Sequence, residues 1–217
     1  MEEKELFKRY KKLYTALIAD IMDQLNYRNQ SMEYTIRPLI PDSIIVGKAF
    51  TILSVQTYET PKEPYDKELE AIDKLKEGDV IVCTTNGETI CGFWGELLAT
   101  AAKVRGCNGT ITDGLTRDAR ALIKMGFPTF AKGYSPNDSK GRNLVIDYNC
   151  LIVCGGIRVN PGDLIMADFE GIVVVPRDIE ETVLLSAEKK FYGENIVRKE
   201  LAKGKSIVEV FDKYKIL

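Results

Sequence analysis

The chain contains no histidine, and this absence restricts the chemistry that the protein can perform. Histidine is the side chain most often used for acid–base catalysis near neutral pH. Any proton transfer must therefore use a carboxylate, a lysine, a tyrosine, a cysteine or a metal-bound water. Long apolar runs are also absent, and none reaches the length that spans a membrane. We therefore expect neither a membrane protein nor a histidine-dependent enzyme.

Cysteine is scarce, and the five cysteines are odd in number and widely spaced. Because the sequence offers neither paired CxxC motifs nor histidine, it does not predict a zinc site. Buried thiols of a cytoplasmic protein are the expected interpretation. Cys91, which directly precedes Gly92, is the cysteine expected to lie nearest a functional site.

Charge and length indicate the broad class of protein. The 217 residues are 45% hydrophobic and 29% charged, enough for one sizeable core, and the net charge of −2 argues against nucleic-acid binding. Residues 1–12 are highly charged and lack the apolar segment of a signal peptide. We expect a single domain over residues 1–217, located in the cytoplasm.

Helical and strand-like segments alternate along the chain without a linker. Apolar periodicity and capping residues predict helices over 6–25, 67–76, 97–104, 118–125, 179–203 and 206–214. Strands are predicted over 44–58, 80–83, 109–112, 129–131, 143–148, 150–154, 164–167 and 172–175. Residues 134–142 are interpreted as a surface loop, with a mobile lid as the alternative. The pattern predicts a layered α/β domain with a mixed sheet.

Two adjacent segments carry residues suited to binding a small anion. Gly92 and Gly95 precede a predicted helix that closes at Gly106, and the N-terminus of a helix attracts carboxylates and phosphates. The next strand ends near Arg117 and Asp118. Arginine can grip a carboxylate with two hydrogen bonds, and aspartate can hold a hard divalent cation. The alternative is ordinary loop glycine and a helix cap with a solvated charge, and spacing alone leaves both interpretations open.

Five segments, taken in order, are similar to those of one protein family. They are TALIADIMD at 15–23, IVGKAFT at 45–51, GELLATAAKVRG at 95–106, TDGLTRD at 112–118 and CGGIRVNPGDLIMADFEGIVVVP at 154–176. Together they resemble the RraA-like family, which includes divalent-metal-dependent 4-hydroxy-4-methyl-2-oxoglutarate aldolases. Glu170 departs from the usual aspartate of the family, with little expected consequence because either carboxylate can serve a turn.

The resemblance implies a role for each matching residue. The loop that binds the pyruvate-like end of the substrate through backbone amides corresponds to Gly95, Glu96, Leu97 and Leu98. Arg117 is the implied carboxylate clamp, and Asp118 is the implied ligand of Mg²⁺ or Mn²⁺. Ribonuclease-inhibiting RraA proteins have an uncharged residue at the position of Asp118, so this aspartate favours the metal-dependent enzyme branch.

The resemblance also implies the architecture and the assembly. The expected fold is a β/β/α sandwich of the swivelling, phosphohistidine-domain-like type, with C-terminal helices at about 179–214. Subunits are expected to form a homotrimer or a hexamer built from two trimers. An acidic residue from a neighbouring C-terminal helix is expected at the site, with Glu194 the first candidate by spacing and Glu200 the second.

The predicted function is a divalent-metal-dependent, class II aldolase that cleaves a 4-hydroxy-2-oxo acid to pyruvate and can also decarboxylate oxaloacetate. Its predicted catalytic residues are Arg117, Asp118 and Glu96, and the base is either metal-bound water or a side chain such as Glu96 or Glu194. The alternative is a non-catalytic regulator that binds a protein partner such as a ribonuclease. A methyltransferase is disfavoured, because the sequence lacks a strong glycine-rich nucleoside fingerprint.

Overall fold

A mixed β-sheet organises the chain, and its strands are rich in apolar and β-branched residues, which suit buried strands. The computed structural model describes residues 1–216. Its strands are β1 (Arg37–Pro38), β2 (Ile45–Gln56), β3 (Asp79–Thr84), β4 (Gly92–Trp94), β5 (Gly109–Thr112), β6 (Leu115–Thr116), β7 (Thr129–Ala131), β8 (Gly133–Tyr134), β9 (Asn143–Tyr148), β10 (Ile152–Cys154), β11 (Ile157–Val159), β12 (Leu164–Ala167) and β13 (Ile172–Val175).

Seven helices are present in the described part of the chain, and six of them pack against these strands. They are α1 (Glu3–Tyr10), α2 (Thr15–Gln24), α3 (Asp66–Asp73), α4 (Glu96–Val104), α5 (Ala119–Met125), α6 (Glu180–Ala202) and α7 (Ile207–Tyr214). Helices α4 and α5 follow short strands directly, so their N-termini lie where those strands end. Among residues 1–216, none of the helices has the length and apolar content that a membrane crossing requires.

The large sheet has the strand order β1-β7-β5-β3-β2-β12-β13. Strands β2, β3, β5 and β7 run parallel, and β1, β12 and β13 join them through antiparallel pairing. The long strand β2 pairs with β12 along its first half and with β9 along its second, with a register shift between Leu53 and Ser54. A change of partner with a shift of this kind bends a strand and lets the sheet curl.

A second, smaller sheet positions the candidate site. It contains three short parallel strands in the order β4-β6-β8. The remaining pair, β10 and β11, forms an antiparallel hairpin. Since β4 leads into α4 and β6 leads into α5, this arrangement brings two helix N-termini together at one edge of the small sheet.

Three apolar clusters hold the layers together. One joins α1, α2 and α6 to β12 and β13, a second joins the large sheet to the β10–β11 hairpin, and a third packs α3, α4 and α5 against β2, β3 and β9. The third cluster includes Trp94, which is fully buried and stacks on Phe127 at 6.5 Å between ring centroids. The large buried ring fixes the end of β4 in the core, immediately before the start of α4.

The prediction of one helix over residues 6–25 is wrong, because the chain forms α1 and α2 separately. The carboxylate of Asp168, in the turn between β12 and β13, accepts hydrogen bonds from the Thr15 amide at 2.8 Å and the Thr15 hydroxyl at 2.6 Å. The hydroxyl of Tyr10 donates to the carbonyl of Glu180 at 2.7 Å. These contacts fix the end of α1 and the start of α2, and they come from residues distant in sequence.

Most other predicted elements are confirmed, including the mixed α/β fold. Strands β5, β7, β9, β12 and β13 have the predicted bounds, and α6 and α7 lie where the C-terminal helices were predicted. Strand β10 begins later than predicted. Strands β1, β4, β6, β8 and β11 were missed, and each has only two or three residues. Strands this short give little alternating pattern to detect, although β7, also of three residues, was predicted.

Candidate functional site

The ends of two parallel strands bring the site together. The backbone amide of Arg117, just after β6, donates to the carbonyl of Trp94 at the end of β4, with a distance of 2.8 Å. The Thr116 hydroxyl donates to the same carbonyl at 2.8 Å. The first turns of α4 and α5 are therefore neighbours, and their positive dipole ends face the same region.

Two glycines permit this close approach. A Cβ atom on Gly95 would lie 2.7 Å from Oδ2 of Asp118 and 3.1 Å from Cγ of Arg117. A Cβ atom on Gly92 would lie 2.6 Å from the carbonyl oxygen of Ser135 and 2.7 Å from Cβ of Arg117. Both positions therefore require glycine, although neither glycine has a positive φ. The glycines of this motif let two charged side chains lie against the backbone.

Asp118 precedes α5 in a left-handed conformation, with φ of 56° and ψ of 29°. This conformation is uncommon for residues other than glycine, and it occurs often at functional sites. Oδ2 of Asp118 accepts a hydrogen bond from the Glu96 amide at 3.1 Å, whereas Oδ1 accepts none from residues 1–216. One carboxylate oxygen therefore anchors the start of α4, and the other is available to a ligand.

Arg117 is held by two carboxylates. Its Nη1 donates to Oδ1 of Asp138 at 2.8 Å, and its Nε lies 3.5 Å from Oδ2 of Asp118. Asp138 in turn accepts a hydrogen bond from the Tyr65 hydroxyl through Oδ2. Among residues 1–216, Nη2 has no acceptor, so this nitrogen and the second N–H of Nη1 can bind a ligand. The guanidinium is thus oriented before any ligand arrives.

The first turn of α4 supplies further donors. The amides of Leu97 and Leu98 form no hydrogen bond within the described chain, as expected for the first turn of a helix. Leu97 is 79% exposed, so its side chain leaves this turn accessible. Two backbone donors and a guanidinium therefore surround the same space, an arrangement suited to binding a small carboxylate.

These groups line a cleft of about 280 Å³. Its walls come from α3, from the β4–α4 junction, from the start of α5 and from the segment after β8. The lining residues are Tyr65, Glu68, Leu69, Gly92, Phe93, Gly95, Leu97, Leu98, Arg117, Asp118, Asp138 and Ser139. The volume suits a small organic acid, since it lies at the lower end of the range for ligand pockets.

The carboxyl groups of the cleft have different protonation properties. Burial raises the pKa of Glu68 to about 7, with the negative charge of Asp138 adding to the effect and Arg117 opposing it. Burial also raises the pKa of Asp138, but the Tyr65 hydrogen bond and the Arg117 charge outweigh it and leave that pKa below its ordinary value. Asp138 is therefore held as an ionised carboxylate, whereas Glu68 titrates near neutrality.

Asp113, within the TDGLTRD segment, has a structural role. It is 4% exposed, and its carboxylate accepts hydrogen bonds from the Thr84 hydroxyl at 2.9 Å and the Thr85 amide at 2.8 Å. The amide of Gly155 approaches it at 3.4 Å. A buried carboxylate satisfied in this way fixes the strand ends that precede the site.

The structure brings most of the predicted site residues to this cleft. Gly95, Leu97, Leu98, Arg117 and Asp118 all line it. Glu96 contributes its amide to Asp118, but its own side chain is exposed and is not among the lining groups. Cys91 lies next to Gly92 and is buried, and burial raises the pKa of its thiol.

The predicted residues from the C-terminal helix lie elsewhere in this chain. Glu194, on α6, accepts a hydrogen bond from the Tyr14 hydroxyl and lies 3.4 Å from Nη2 of Arg198. Glu200 pairs with two lysines further along, at 203 and 205. Neither glutamate lines the cleft within one subunit. Whether a neighbouring subunit's glutamate completes the site stays a prediction.

Sequence reasoning missed Tyr65, Glu68 and Asp138. Glu68 lies in α3, which was predicted only as a helix, Tyr65 lies just before that helix, and Asp138 lies in the segment interpreted as a surface loop. The loop packs on the site, because the Gly92 amide donates to the carbonyl of Asn137 at 2.9 Å. An aspartate between asparagine and serine is typical of turns, so nothing local distinguished Asp138.

Comparisons with known proteins find relatives that match most of the chain. A family model described as "RraA-like: Aldolase/RraA" matches residues 15–174. A Halalkalibacterium halodurans protein named "Putative 4-hydroxy-4-methyl-2-oxoglutarate aldolase" is 32% identical over 188 residues, which cover 87% of this chain and 84% of that protein.

Solved structures resemble the whole fold. One, described as novel cellulases from microbes associated with the gut ecosystem, has a TM-score of 0.87 and 30% identity, covering 90% of this chain and 87% of that chain. Another is Streptomyces coelicolor RraAS2, described as an unusual member of the RNase ES inhibitor RraA protein family. It has a TM-score of 0.81 and 25% identity, covering 91% of this chain and 97% of that chain.

Proposed function

The chain belongs to the RraA-like family, and from that premise we propose that it is a divalent-metal-dependent lyase that cleaves a 4-hydroxy-2-oxo acid to pyruvate. The observation that carries the proposal is the grouping around one small cleft of Arg117, the free amides of Leu97 and Leu98, and the open oxygen of Asp118. The arginine and the two amides can bind a carboxylate, and the aspartate beside them can bind a cation. This combination suits a 2-oxo acid bound next to a divalent cation.

The donor set fits a cation of the Mg²⁺ type. Oδ1 of Asp118 is unengaged within residues 1–216, and across the same residues no cluster of three or more acidic or cysteine side chains is arranged to hold a metal. Mg²⁺ is commonly bound by one or two carboxylates, with water and substrate oxygens in its other positions. Asp118 is therefore the residue that would hold it, and the chemistry such a cation supplies is polarisation of the 2-oxo carbonyl.

The protein's own groups position the substrate. The free N–H groups of Arg117 and the amides of Leu97 and Leu98 bind the C1 carboxylate and direct the 2-oxo group toward Asp118. When the C3–C4 bond breaks, negative charge develops on the pyruvate enolate. Donors that are already oriented stabilise such charge with little reorganisation, and the contacts of Asp138 and Asp118 keep the guanidinium in place. No nucleophilic lysine is required.

The experiment that tests this function measures pyruvate release. Purified protein is incubated with Mg²⁺ or Mn²⁺ and with 4-hydroxy-4-methyl-2-oxoglutarate, shorter 4-hydroxy-2-oxo acids or oxaloacetate, and pyruvate is followed by a coupled dehydrogenase. We expect release that EDTA abolishes and added metal restores. Arg117→Ala should be inactive, whereas Arg120→Ala, a change at an exposed arginine on α5, should behave like wild type. Absence of release from every acid with every metal would exclude the lyase.

A non-catalytic regulator is the second candidate, and the similarity to RraAS2 supports it. A regulator would bind a ribonuclease through its outer surface and would not need the cleft. The two functions are distinguished by assaying ribonuclease inhibition with wild type and with Arg117→Ala. Inhibition that survives the substitution, in a protein without lyase activity, would establish the regulator.

Cellulose hydrolysis is disfavoured by the shape of the site. A glucan chain requires an extended groove, whereas this cleft has a volume of about 280 Å³. Its best-placed donors also suit a carboxylate, a group that cellulose lacks. The structural likeness to the protein described as a cellulase therefore supports the shared fold rather than a shared substrate.

A further inference from the structure

Glu68 is a buried acid in the wall of the cleft. It lies on the third residue of α3 and is 7% exposed, although its neighbours along the helix, Lys67 and Leu69, are exposed. Acidic side chains are seldom buried to this extent unless a partner compensates for the cost. The helix therefore directs one carboxyl group inward, toward the space where a ligand would bind.

Within the described residues, one oxygen of this carboxyl has no protein partner. Its Oε1 is sealed from solvent and has no hydrogen-bond partner among residues 1–216. The Tyr65 hydroxyl, although one turn away, donates to Asp138. Buried polar atoms are normally paired, and an exception at a cleft suggests that the missing partner is a ligand or an ordered water.

The charged and titratable groups around Glu68 come from several elements. Asp138 follows β8, Arg117 precedes α5, and Tyr65 lies just before α3. Two thiols, Cys83 on β3 and Cys91 before β4, are also close enough for the charge of Glu68 to influence their pKa values. Burial raises the pKa of both thiols and keeps them protonated. The charges of Arg117 and Asp138 have opposite effects on the pKa of Glu68, so burial is the main cause of its shift.

This environment lets Glu68 exist in two protonation states near neutral pH. Its pKa is raised to about 7, chiefly by burial. A general acid–base group works best when its pKa lies near the working pH. Because the chain has no histidine, a carboxyl with this property is the side chain suited to acid–base chemistry at neutral pH.

We infer that Glu68 is the general acid–base residue of the cleft, an inference that rests on the proposed lyase function. As the carboxylate, Glu68 takes the proton of the C4 hydroxyl. The O–H electron pair forms the new C4 carbonyl, and the C3–C4 pair becomes the π bond of the pyruvate enolate. The aldehyde or ketone fragment leaves, and the protonated Glu68 returns the proton to C3. Glu68 ends as the carboxylate, so no further reactant is consumed.

The matched variants are Glu68→Gln and Glu70→Gln, on the same helix. Glutamine keeps the size of the Glu68 side chain but cannot accept a proton. Glu70 is exposed and contacts Tyr148 and Lys67, away from the cleft. We expect kcat of Glu68→Gln to fall by about 10²- to 10⁴-fold with little change in KM, while Glu70→Gln keeps both constants. The limb of the kcat/KM profile near pH 7 should disappear only in Glu68→Gln.

Two further measurements do not depend on aldol turnover. Exchange of the pyruvate C3 hydrogens in D₂O, with Mg²⁺ present, follows proton transfer alone and should slow in Glu68→Gln. Infrared difference spectra should show a carboxyl band that titrates near pH 7, shifts when oxalate and Mg²⁺ bind, and is absent from Glu68→Gln. Glu68→Asp, which keeps the carboxyl, should retain intermediate exchange and provides a check if Glu68→Gln folds poorly.

The outcomes separate this inference from the proposed function. If wild type releases pyruvate and Glu68→Gln keeps kcat, the pH limb and C3 exchange within about threefold, the assignment of Glu68 is wrong while the lyase stands. Loss of activity through unfolding would be recognised from the thermal transition of the variant, and Glu68→Asp then decides. If wild type neither releases pyruvate nor exchanges its C3 hydrogens, the proposed function fails and this inference fails with it.

Discussion

The backbone amide of Glu96 donates a hydrogen bond of 3.1 Å to Oδ2 of Asp118. This bond links the first residue of α4 to the residue that precedes α5, across a separation of 22 positions in sequence. It uses one oxygen of the carboxylate and leaves the other open. The same contact therefore connects the helix that offers backbone donors with the residue that would hold a cation.

The first prediction concerns Gly95. A methyl group there would lie 2.7 Å from Oδ2 of Asp118, so Gly95→Ala must displace Asp118 or the start of α4. A displacement of about 1 Å can reduce turnover by about 10²-fold, and we expect kcat/KM for pyruvate release to fall by that order. Gly171→Ala is the control, because no atom lies within 4 Å of its added methyl group and its φ is not positive. Equal kcat/KM for both variants would show that the contact is unimportant.

The second prediction concerns the charge on Asp118. Asparagine tolerates the left-handed conformation and can still accept the Glu96 hydrogen bond, so Asp118→Asn should fold normally. It loses the negative charge, and we expect Mn²⁺ affinity to fall by at least about tenfold, because the charge of the ligands tunes cation binding. Calorimetric titration with Mn²⁺, alongside a thermal melt, measures both properties. Unchanged Mn²⁺ binding would remove Asp118 as a ligand.

The third prediction concerns the geometry of Arg117. Lysine keeps the charge but lacks the planar fork that contacts Asp138 and a substrate carboxylate together. Loss of one charged hydrogen bond, about 1.5–3 kcal/mol, corresponds to a decrease of about 10- to 150-fold in kcat/KM. Arg120→Lys, at an exposed position, should show no such decrease. Wild-type kcat/KM in Arg117→Lys would mean that charge alone suffices.

The sequence predicted the residues proposed to bind substrate and metal more fully than Glu68 and Asp138, which also line the cleft. Gly95, Arg117 and Asp118 lie in adjacent local motifs whose chemistry can be interpreted from spacing. Glu68 and Asp138 come from an ordinary helix and an ordinary loop, and only the folded chain places them together. A buried acid on an amphipathic helix has no pattern of its own, because burial depends on which elements pack against it.

The same limit explains the N-terminal error. Apolar periodicity runs through residues 6–25 without glycine or proline, so local signals predict one helix. The break is imposed by Asp168, more than 150 residues away, which holds the amide and hydroxyl of Thr15. Strands such as β12 and β13 were predicted correctly because each is a continuous run of buried apolar residues.

The fourth prediction follows from that contact. Asp168→Ala removes the acceptor for Thr15 and for the amide of Glu170. Loss of a helix cap costs about 0.5–2 kcal/mol, and we expect the free energy of unfolding in urea to fall by about that amount. Glu170→Ala, which removes an exposed side chain from the same turn, should change it far less. A similar decrease in the free energy of unfolding in both variants would indicate that the β12–β13 turn, rather than the hydrogen bonds between Asp168 and Thr15, determines stability.

The last prediction concerns stability and pH. The pKa of Glu68 is about 7 in the folded protein, against an ordinary value of 4.5. Between these values the folded state keeps a proton that the unfolded chain has released, so the stability that Glu68 contributes is complete below about pH 4.5. It is lost as the pH rises from there through about 7, by an amount on the order of 3 kcal/mol.

Glu68→Gln has no such proton, so its free energy of unfolding should not decrease in this way between about pH 4.5 and 7. Urea unfolding of wild type, Glu68→Gln and Glu70→Gln at a series of pH values between 4.5 and 8 measures the difference. Glu70 has a lowered pKa because of its hydrogen bonds with Tyr148 and Lys67, so the pH dependence that it contributes lies below about pH 4.5. Its substitution can lower the stability curve by a constant amount between pH 4.5 and 8, but it should leave the wild-type slope intact. Parallel curves for wild type and Glu68→Gln would show that Glu68 is ionised in the folded protein at neutral pH.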